Sequence, residues 1–395
     1  MTSVVTVHLD IGGQPVEAGT LYVHSGRTLT STFVYTSNYL GDPRAHAVDP
    51  AFPLVRGQHH VAGLPRAFSD SAPDRWGRNL IRKRLRASGD TASRSITEVD
   101  YLLGVSDVTR QGALRFSLDG GDFLAAHGDV PRALALPRLL RASEKVARDE
   151  ESVEEIKLLL DAGTASLGGA RPKASIREGS TLYIAKFPHP GDQWDVMAWE
   201  ATALDLAERA GIEVPEHRLI RVEGRAVLLL RRFDREGALR RGYLSAMTLV
   251  GADDGDQRDY LELAEALAQN SAAATADLAQ LWRRAAFGLL INNTDDQLRN
   301  HGVVQAEKGW RLSPAFDINP NPDGARHATT IAGEDGREEG LEALVASAPQ
   351  FGLGADEVER ALAEVRTVLG CWREIAAGHA VRPAECDLMA EAFGR

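Results

Sequence analysis

At 395 residues, 44% apolar and 26% charged, the chain has ordinary globular composition and is too long for one compact core, which predicts two or three domains. A formal net charge of −11 excludes a predominantly electrostatic grip on DNA, and no apolar run approaches the ~18 residues that span a bilayer. The two cysteines, Cys371 and Cys386, form neither a zinc set nor a disulfide framework and are expected to be buried free thiols in a cytoplasmic protein.

The N-terminal stretch MTSVVTVHLDIGG reads as a strand, without the basic-then-apolar order of a signal peptide. Residues 1 to about 60 read as β-rich: VVTVHL and TLYVH flank a turn, and TSTFVYTSNYL is another strand. From Ser69, SDSAPDRWGRNLIRKRLRASGD reads as an N-capped helix whose run Arg75 to Arg86 is the one strongly basic patch, taken as a solvated face. SVEEIKLLLDAG is an amphipathic helix with Ser152 and Glu155 as a capping box and Gly163 at its end.

TASLGGARPKASIREGSTLYIAKF then reads as a glycine-rich loop followed by two strands that turn at Gly179 and Ser180. Lys186 alternates with Leu182 and Ile184 and so points with that apolar row. It is one of only six lysines against thirty-nine arginines, so arginine is not the default substitute there. WDVMAWEATALDLAERAG predicts a helix ended by Gly211, and HRLIRVEGRAVLLLRRFDR a hairpin turning at Glu223 and Gly224. Beyond about Gly251 the pattern is helical, ADEVERALAEVRTVLGCWREIAAG included, apart from the short hairpin GVVQAEKGWRL. The expected fold class is α+β, divided at 1–120, 121–240 and 241–395.

The densest polar stretch, INNTDDQLRNHGVV, lies between the helix TADLAQLWRRAAFGLLIN and that hairpin. Transfer of a phosphoryl group to a hydroxyl needs backbone donors over the phosphates and a cation on them. It also needs a carboxylate for the acceptor and an Asn and Asp to hold Mg²⁺. Gly168 and Gly169 in SLGGARPK allow close approach of backbone to phosphate, and Lys186 follows in a strand. Asp295 and Asn300 stand five apart, the spacing of base and metal-binding Asn in kinase catalytic loops, and Asp317 follows the hairpin in LSPAFDINP. Each alone is weak, since GG pairs are commonly turns and Asp317 could open an Asx-turn. Adjacent His59 and His60 point to opposite faces of a strand, GVSDV around Ser106 lacks the second glycine of a nucleophile elbow, and Asp234 with Arg235 reads as a structural ion pair.

Together SLGGARPKASI, LYIAKFP, LLLRRFDR, NTDDQLRNH and LSPAFDINP resemble the HipA-like serine/threonine kinases, toxins of type II toxin–antitoxin modules. FSDSAPDRWGRNLI and YLLGVSDVTRQGALRF resemble their N-terminal subdomain, so the likeness covers nearly the whole chain. It implies a protein-kinase-like two-lobed fold, with a β-rich N-terminal subdomain (1–120), an N-lobe (121–240) and an all-helical C-lobe (241–395). By motif, Asp295 would be the catalytic base and Asn300 and Asp317 the Mg²⁺ ligands. Gly168, Gly169, Ala170, Lys173, Lys186, Arg231, Phe233 and Gln297 would bind ATP, with Glu200 supporting Lys186.

Ser166 aligns with the serine that such kinases autophosphorylate. The resemblance also implies a HipB-like helix-turn-helix antitoxin, contact with DNA only through it, and a translation component such as an aminoacyl-tRNA synthetase as substrate. Gln297 departs from the family's usual His, and Asp296 adds a second carboxylate, expected to face solvent. Two other readings stay open: a small-molecule phosphotransferase of aminoglycoside-kinase type, and a weakly catalytic corepressor scaffold.

Overall fold

The computed structural model describes residues 2–89, 95–124, 130–163, 171–324 and 326–394. The chain forms two compact units, one of residues 1–190 and 234–244, the other of 191–233 and 245–395.

The first unit is built on an antiparallel sheet of order β4-β3-β2-β1-β5, comprising β1 (Thr2–Ile11), β2 (Gln14–Ser25), β3 (Leu29–Tyr35), β4 (His59–Ala62) and β5 (Leu114–Leu118). The last strand of the sheet comes from the YLLGVSDVTRQGALRF stretch and adds to the free edge of β1. Val5, Val7, Leu21 and Phe33 are fully buried, and Phe33 stacks on Phe52 with ring centroids 5.3 Å apart. Gly19 is obligatory, since a Cβ there would lie 2.3 Å from the Val34 carbonyl oxygen. The expected strand TSTFVYTSNYL ends at Tyr35; Thr36 accepts from the Tyr39 N–H and turns SNYL into one helical turn.

Helix Arg75–Ala87 is capped by Asp74 and buries Trp76, Leu80 and Ile81. Part of its basic run is paired as well as solvated: Arg78 holds Glu98 through two bonds of 2.8 and 2.7 Å, and Lys83 holds Asp149 at 2.6 Å and Glu151. Helix Val153–Asp161 has the expected capping box of Ser152 and Glu155, and Gly163 adopts φ +73° beyond its end. β6 (Lys173–Glu178) and β7 (Thr181–Lys186) form the expected hairpin, with Lys173 opposite Lys186 in register.

Under the sheet Arg110 is buried; its guanidinium donates to the carbonyls of Ser71, Leu102 and Val105 at 2.9, 2.8 and 3.1 Å. Asp107 beside it accepts from Arg115 at 2.7 Å and from Arg240 at 3.0 Å. Asp234 accepts from the Gly112 N–H at 2.8 Å and pairs with Arg235 at 2.7 Å, in keeping with a structural ion pair. Those contacts carry the 234–244 segment into this unit.

In the second unit helix Val196–Arg209 is buried along most of its length. β8 (His217–Val222) and β9 (Arg225–Arg231) follow as a hairpin whose turn residues Glu223 and Gly224 both have positive φ, +50° and +79°, as a two-residue type I′ turn demands. Helix Ala274–Leu290 runs through the core, and Trp282 on it donates to the Leu344 carbonyl at 3.1 Å. The expected long C-terminal helix is two, Ala355–Leu369 and Trp372–Gly378, broken at Gly370 and Cys371 so that Trp372 can stack on Phe393 at 4.5 Å. Cys386 is buried as expected, whereas Cys371, at that break, is exposed. No helix among the described residues is long and apolar enough to cross a membrane.

Candidate active site

The polar stretch begins where helix Ala274–Leu290 stops. Asn292 takes φ +54°, a left-handed conformation that Asn tolerates better than most residues, and the chain leaves the helix axis there. Its amide donates to the carbonyls of Asn321 and Gly324 at 2.7 and 2.9 Å. The Asn319 N–H reaches the Asn293 side-chain oxygen at 3.3 Å, and the Asn321 amide reaches Thr294 Oγ1 at 2.7 Å. His327 Nδ1 lies 3.2 Å from the Asn293 carbonyl, and Thr329 Oγ1 donates to the Asp296 carbonyl at 2.5 Å. Residues 292–296 and 319–329 are thereby laced together side by side, which explains the density of asparagine.

On that platform Asp295 is exposed to solvent. Gln297 Nε2 donates to its Oδ1 at 2.5 Å and Asn300 Nδ2 donates to its backbone carbonyl at 2.8 Å. Burial raises the Asp295 pKa above the usual carboxylate value against the Gln297 bond, and the Asp317 and Asp296 carboxylates add to the rise. Asp317, just past the 302–312 hairpin, has φ +59°; its neighbour Phe316 packs on Phe233 with ring centroids 5.7 Å apart. Asn300 spends its amide nitrogen on Asp295, and its side-chain oxygen is of the type that could hold a hard cation.

Asp295 and Asp317 thus crowd negative charge where a hard cation would relieve it, and the donors present are oxygens. Among the described residues no three His, Cys, Asp or Glu side chains gather closely enough to hold a metal alone. Mg²⁺ does not require such a set, because one or two carboxylates and the substrate phosphates suffice. The residues fit the ion.

Asp296 does not face solvent as expected. It is 8% exposed, and its carboxylate is taken by Tyr260, whose hydroxyl donates to Oδ2, and by His301 Nε2 at 2.9 Å from Oδ1. The same hydroxyl lies 3.1 Å from His301 Nε2. Burial pushes the Asp296 carboxyl up, yet His301 and Tyr260 together hold it below the usual range. Burial and the Asp296 charge send the Tyr260 hydroxyl well above its usual value. Tyr260 carries no local signal: its partner lies 36 residues further along the chain.

Arg231 is exposed and paired with Glu216 at 3.2 Å, and Glu200 is buried on helix Val196–Arg209. In the first unit Lys186 is buried at the end of β7. Lys173 departs from the expected phosphate contact. Its ammonium lies 2.6 Å from Asp74, the cap of helix Arg75–Ala87, with both side chains buried, and Trp76 Nε1 donates to its carbonyl at 3.2 Å. A lysine so committed fixes the start of β6 instead. Ser166, Gly168, Gly169 and Ala170 lie outside the described residues.

A family model described as HipA-like C-terminal domain matches residues 165–372, and one described as HipA N-terminal domain matches residues 9–115. The chain belongs to the HipA family. The HipA N-terminal match takes in β2, β3 and β4 and the ends of β1 and β5, and the HipA-like C-terminal match takes in Lys186, Asp295, Asn300 and Asp317. A Sinorhizobium fredii protein named "Putative kinase Y4dM" is 25% identical over 342 residues, covering 80% of this chain and 78% of that protein. Among solved structures, HipA of Shewanella oneidensis MR-1, in its complex with HipB and operator DNA, superposes with a TM-score of 0.69 at 17% identity. That match covers 98% of this chain and 95% of that one, and it is a likeness of fold.

Proposed function

We propose that this HipA-family protein is an ATP- and Mg²⁺-dependent serine/threonine protein kinase, the toxin of a toxin–antitoxin module. One observation carries the reading: Asp295, oriented by Gln297 and Asn300, shares its electrostatic environment with Asp317 on an adjoining loop. In this mechanism Asp295 orients the acceptor hydroxyl and takes its proton as the oxygen bonds to the γ-phosphorus and the bond to ADP breaks. The Gln297 amide holds the carboxylate that receives the proton and remains neutral throughout. Mg²⁺, when held by Asn300 and Asp317, supplies screening of the phosphate charge. Lys186 is assigned to the ATP phosphates and Phe233 to the adenine-binding linker.

On this reading residues 1–120 are the N-terminal subdomain, 121–240 the kinase N-lobe and 241–395 the helical C-lobe, and the protein works in the cytoplasm. Ser166 is the autophosphorylation site: about −1.5 to −2 charges placed beside the ATP phosphates would displace the loop that bears it. The HipB partner of the Shewanella protein supports a HipB-like antitoxin here, with DNA contacted through it. The substrate is assigned to the translation apparatus on family grounds alone.

The test is phosphotransfer from labelled ATP with Mg²⁺ by wild type, Asp295→Ala and Ser166→Ala. Label on wild type and none on Asp295→Ala is expected. Ser166→Ala should lose autophosphorylation while still turning over ATP. Absence of label and of ATP turnover in dephosphorylated wild type would sink the kinase reading and favour the scaffold.

A further inference from the structure

We propose that Tyr260, Asp296 and His301 are positioning residues that clamp the catalytic loop from behind and so aim Asp295 outward. The inference rests on the kinase reading and extends it to side chains that touch neither ATP nor acceptor.

Asp295 and Asp296 are neighbours of one chemistry sent to opposite environments. Asp296 is held at three points: Oδ1 by His301, Oδ2 by the Tyr260 hydroxyl, and the backbone carbonyl by Thr329. With the second carboxylate fixed inward, the first has little freedom to rotate into the core, and the Asn300 amide closes the loop over its carbonyl. Tyr260 begins helix Tyr260–Asn270, and its ring packs edge-on to His301 with centroids 5.4 Å apart. The loop therefore takes its position from a different helix than the one it leaves.

The surrounding charge is arranged for the same end. Arg284, on helix Ala274–Leu290, is buried with Nε and Nη1 making no hydrogen bond, and it lies close enough to feel both Asp296 and Tyr260. A buried carboxylate with a distant cation and a tyrosine is an expensive way to fill a core, because apolar residues of the same volume commonly stabilise as well or better. What the polar set supplies is direction: hydrogen bonds fix the rotamer of Asp296, where a leucine would tolerate several. A displacement of about 1 Å at a reacting group costs on the order of 10²-fold in rate.

The experiment compares Tyr260→Phe, Asp296→Asn and wild type. It measures kcat, KM for MgATP, thermal midpoint, and amide hydrogen exchange resolved by peptide. Tyr260→Phe keeps the ring and removes only the hydroxyl; it should lower kcat about tenfold, and Asp296→Asn about a hundredfold, the range found when orienting partners are removed. KM for MgATP should stay within about twofold, because the clamp acts on Asp295 and not on nucleotide affinity. Exchange should quicken across 292–300 and remain as in wild type within helix Ala274–Leu290.

Wild-type kcat and wild-type exchange in a folded Tyr260→Phe protein would overturn the proposal. So would a parallel rise in KM and fall in thermal midpoint with kcat unchanged, which marks a merely structural hydroxyl. If Asp296→Asn fails to fold, Tyr260→Phe decides alone. If wild type transfers no phosphate, the kinase reading fails, and loop exchange in Tyr260→Phe still decides whether the clamp exists.

Discussion

Beneath the sheet of the first unit, Arg110 is buried with three backbone carbonyls on its guanidinium, and Asp107 is shared by Arg115 and Arg240. In the second unit Asp296 is buried with a tyrosine and a histidine, while its neighbour Asp295 is exposed and feels the charge of Asp317, a group of its own sign. Both are ionic clusters, but their balance differs. In the first, three carbonyls meet the Arg110 guanidinium, and burial brings its pKa down to about 10, still far above neutrality, so the cluster stays a fixed prop. In the second, burial raises the Asp295 pKa and the Asp317 and Asp296 charges add to the rise, an environment that a cation would relieve. Charge that is internally settled builds structure, and charge left in excess is available for chemistry.

Mutations can break this contrast or sharpen it. The largest effect is expected at Asp295→Ala, which should lower phosphotransfer by 10²–10⁴-fold, about what one acid–base group contributes, with the thermal midpoint held near wild type. Arg110→Ala should do the reverse. Removing one side of a buried charge set should cost the first unit about 3–5 kcal/mol, read as a shift in the urea midpoint. Ser152→Ala, which removes half of a capping box, should cost about 1 kcal/mol in the same assay.

The smallest effect is a pH dependence in the second unit. Asp205 bridges His217 at 2.9 Å and His379 at 2.8 Å, joining helix Val196–Arg209 to the hairpin that follows it and to the C-terminal helices. Burial pushes the His217 pKa down, but the Asp205 bond outweighs it and the net shift is upward from 6.5. Burial likewise pushes Asp205 up, and the His217 and His379 bonds carry its net shift well below 3.8. The His217 contribution is therefore complete below about pH 6.5 and is lost as pH rises through the higher folded value. The Asp205 contribution is complete above about pH 4 and is lost as pH falls further. Urea midpoints should decline as pH rises above about 6.5 in wild type, and less steeply in His217→Gln.

The sequence announces what is local. Ser152 with Glu155, the Glu223-Gly224 turn and the helix-loop-hairpin around Asp295 are each written in one continuous stretch of chain, and the structure forms all three. What it conceals is long-range choice of partner. Lys173 looks like a phosphate ligand beside a glycine-rich loop until Asp74, 99 residues earlier, claims it. Asp296 looks like solvent-facing charge because nothing near it signals Tyr260. A carboxylate in a loop costs little in water and much in a core, so its fate is set by whichever element packs against it. The break at Gly370 is hidden for a related reason: helical periodicity carries through it, and the stacking of Trp372 on Phe393 decides where the helix stops.

The 234–244 segment has a consequence for synthesis. The first unit needs Asp234, Arg235 and Arg240 for its contacts with Gly112 and Asp107, yet those residues leave the ribosome after the whole of 191–233. Emerging chain cannot complete its opening unit as it goes, because the closing strap arrives late, after more than forty residues of the next unit. For a HipA-family protein, the order of translation itself thus delays the appearance of a finished fold until well past the middle of the chain.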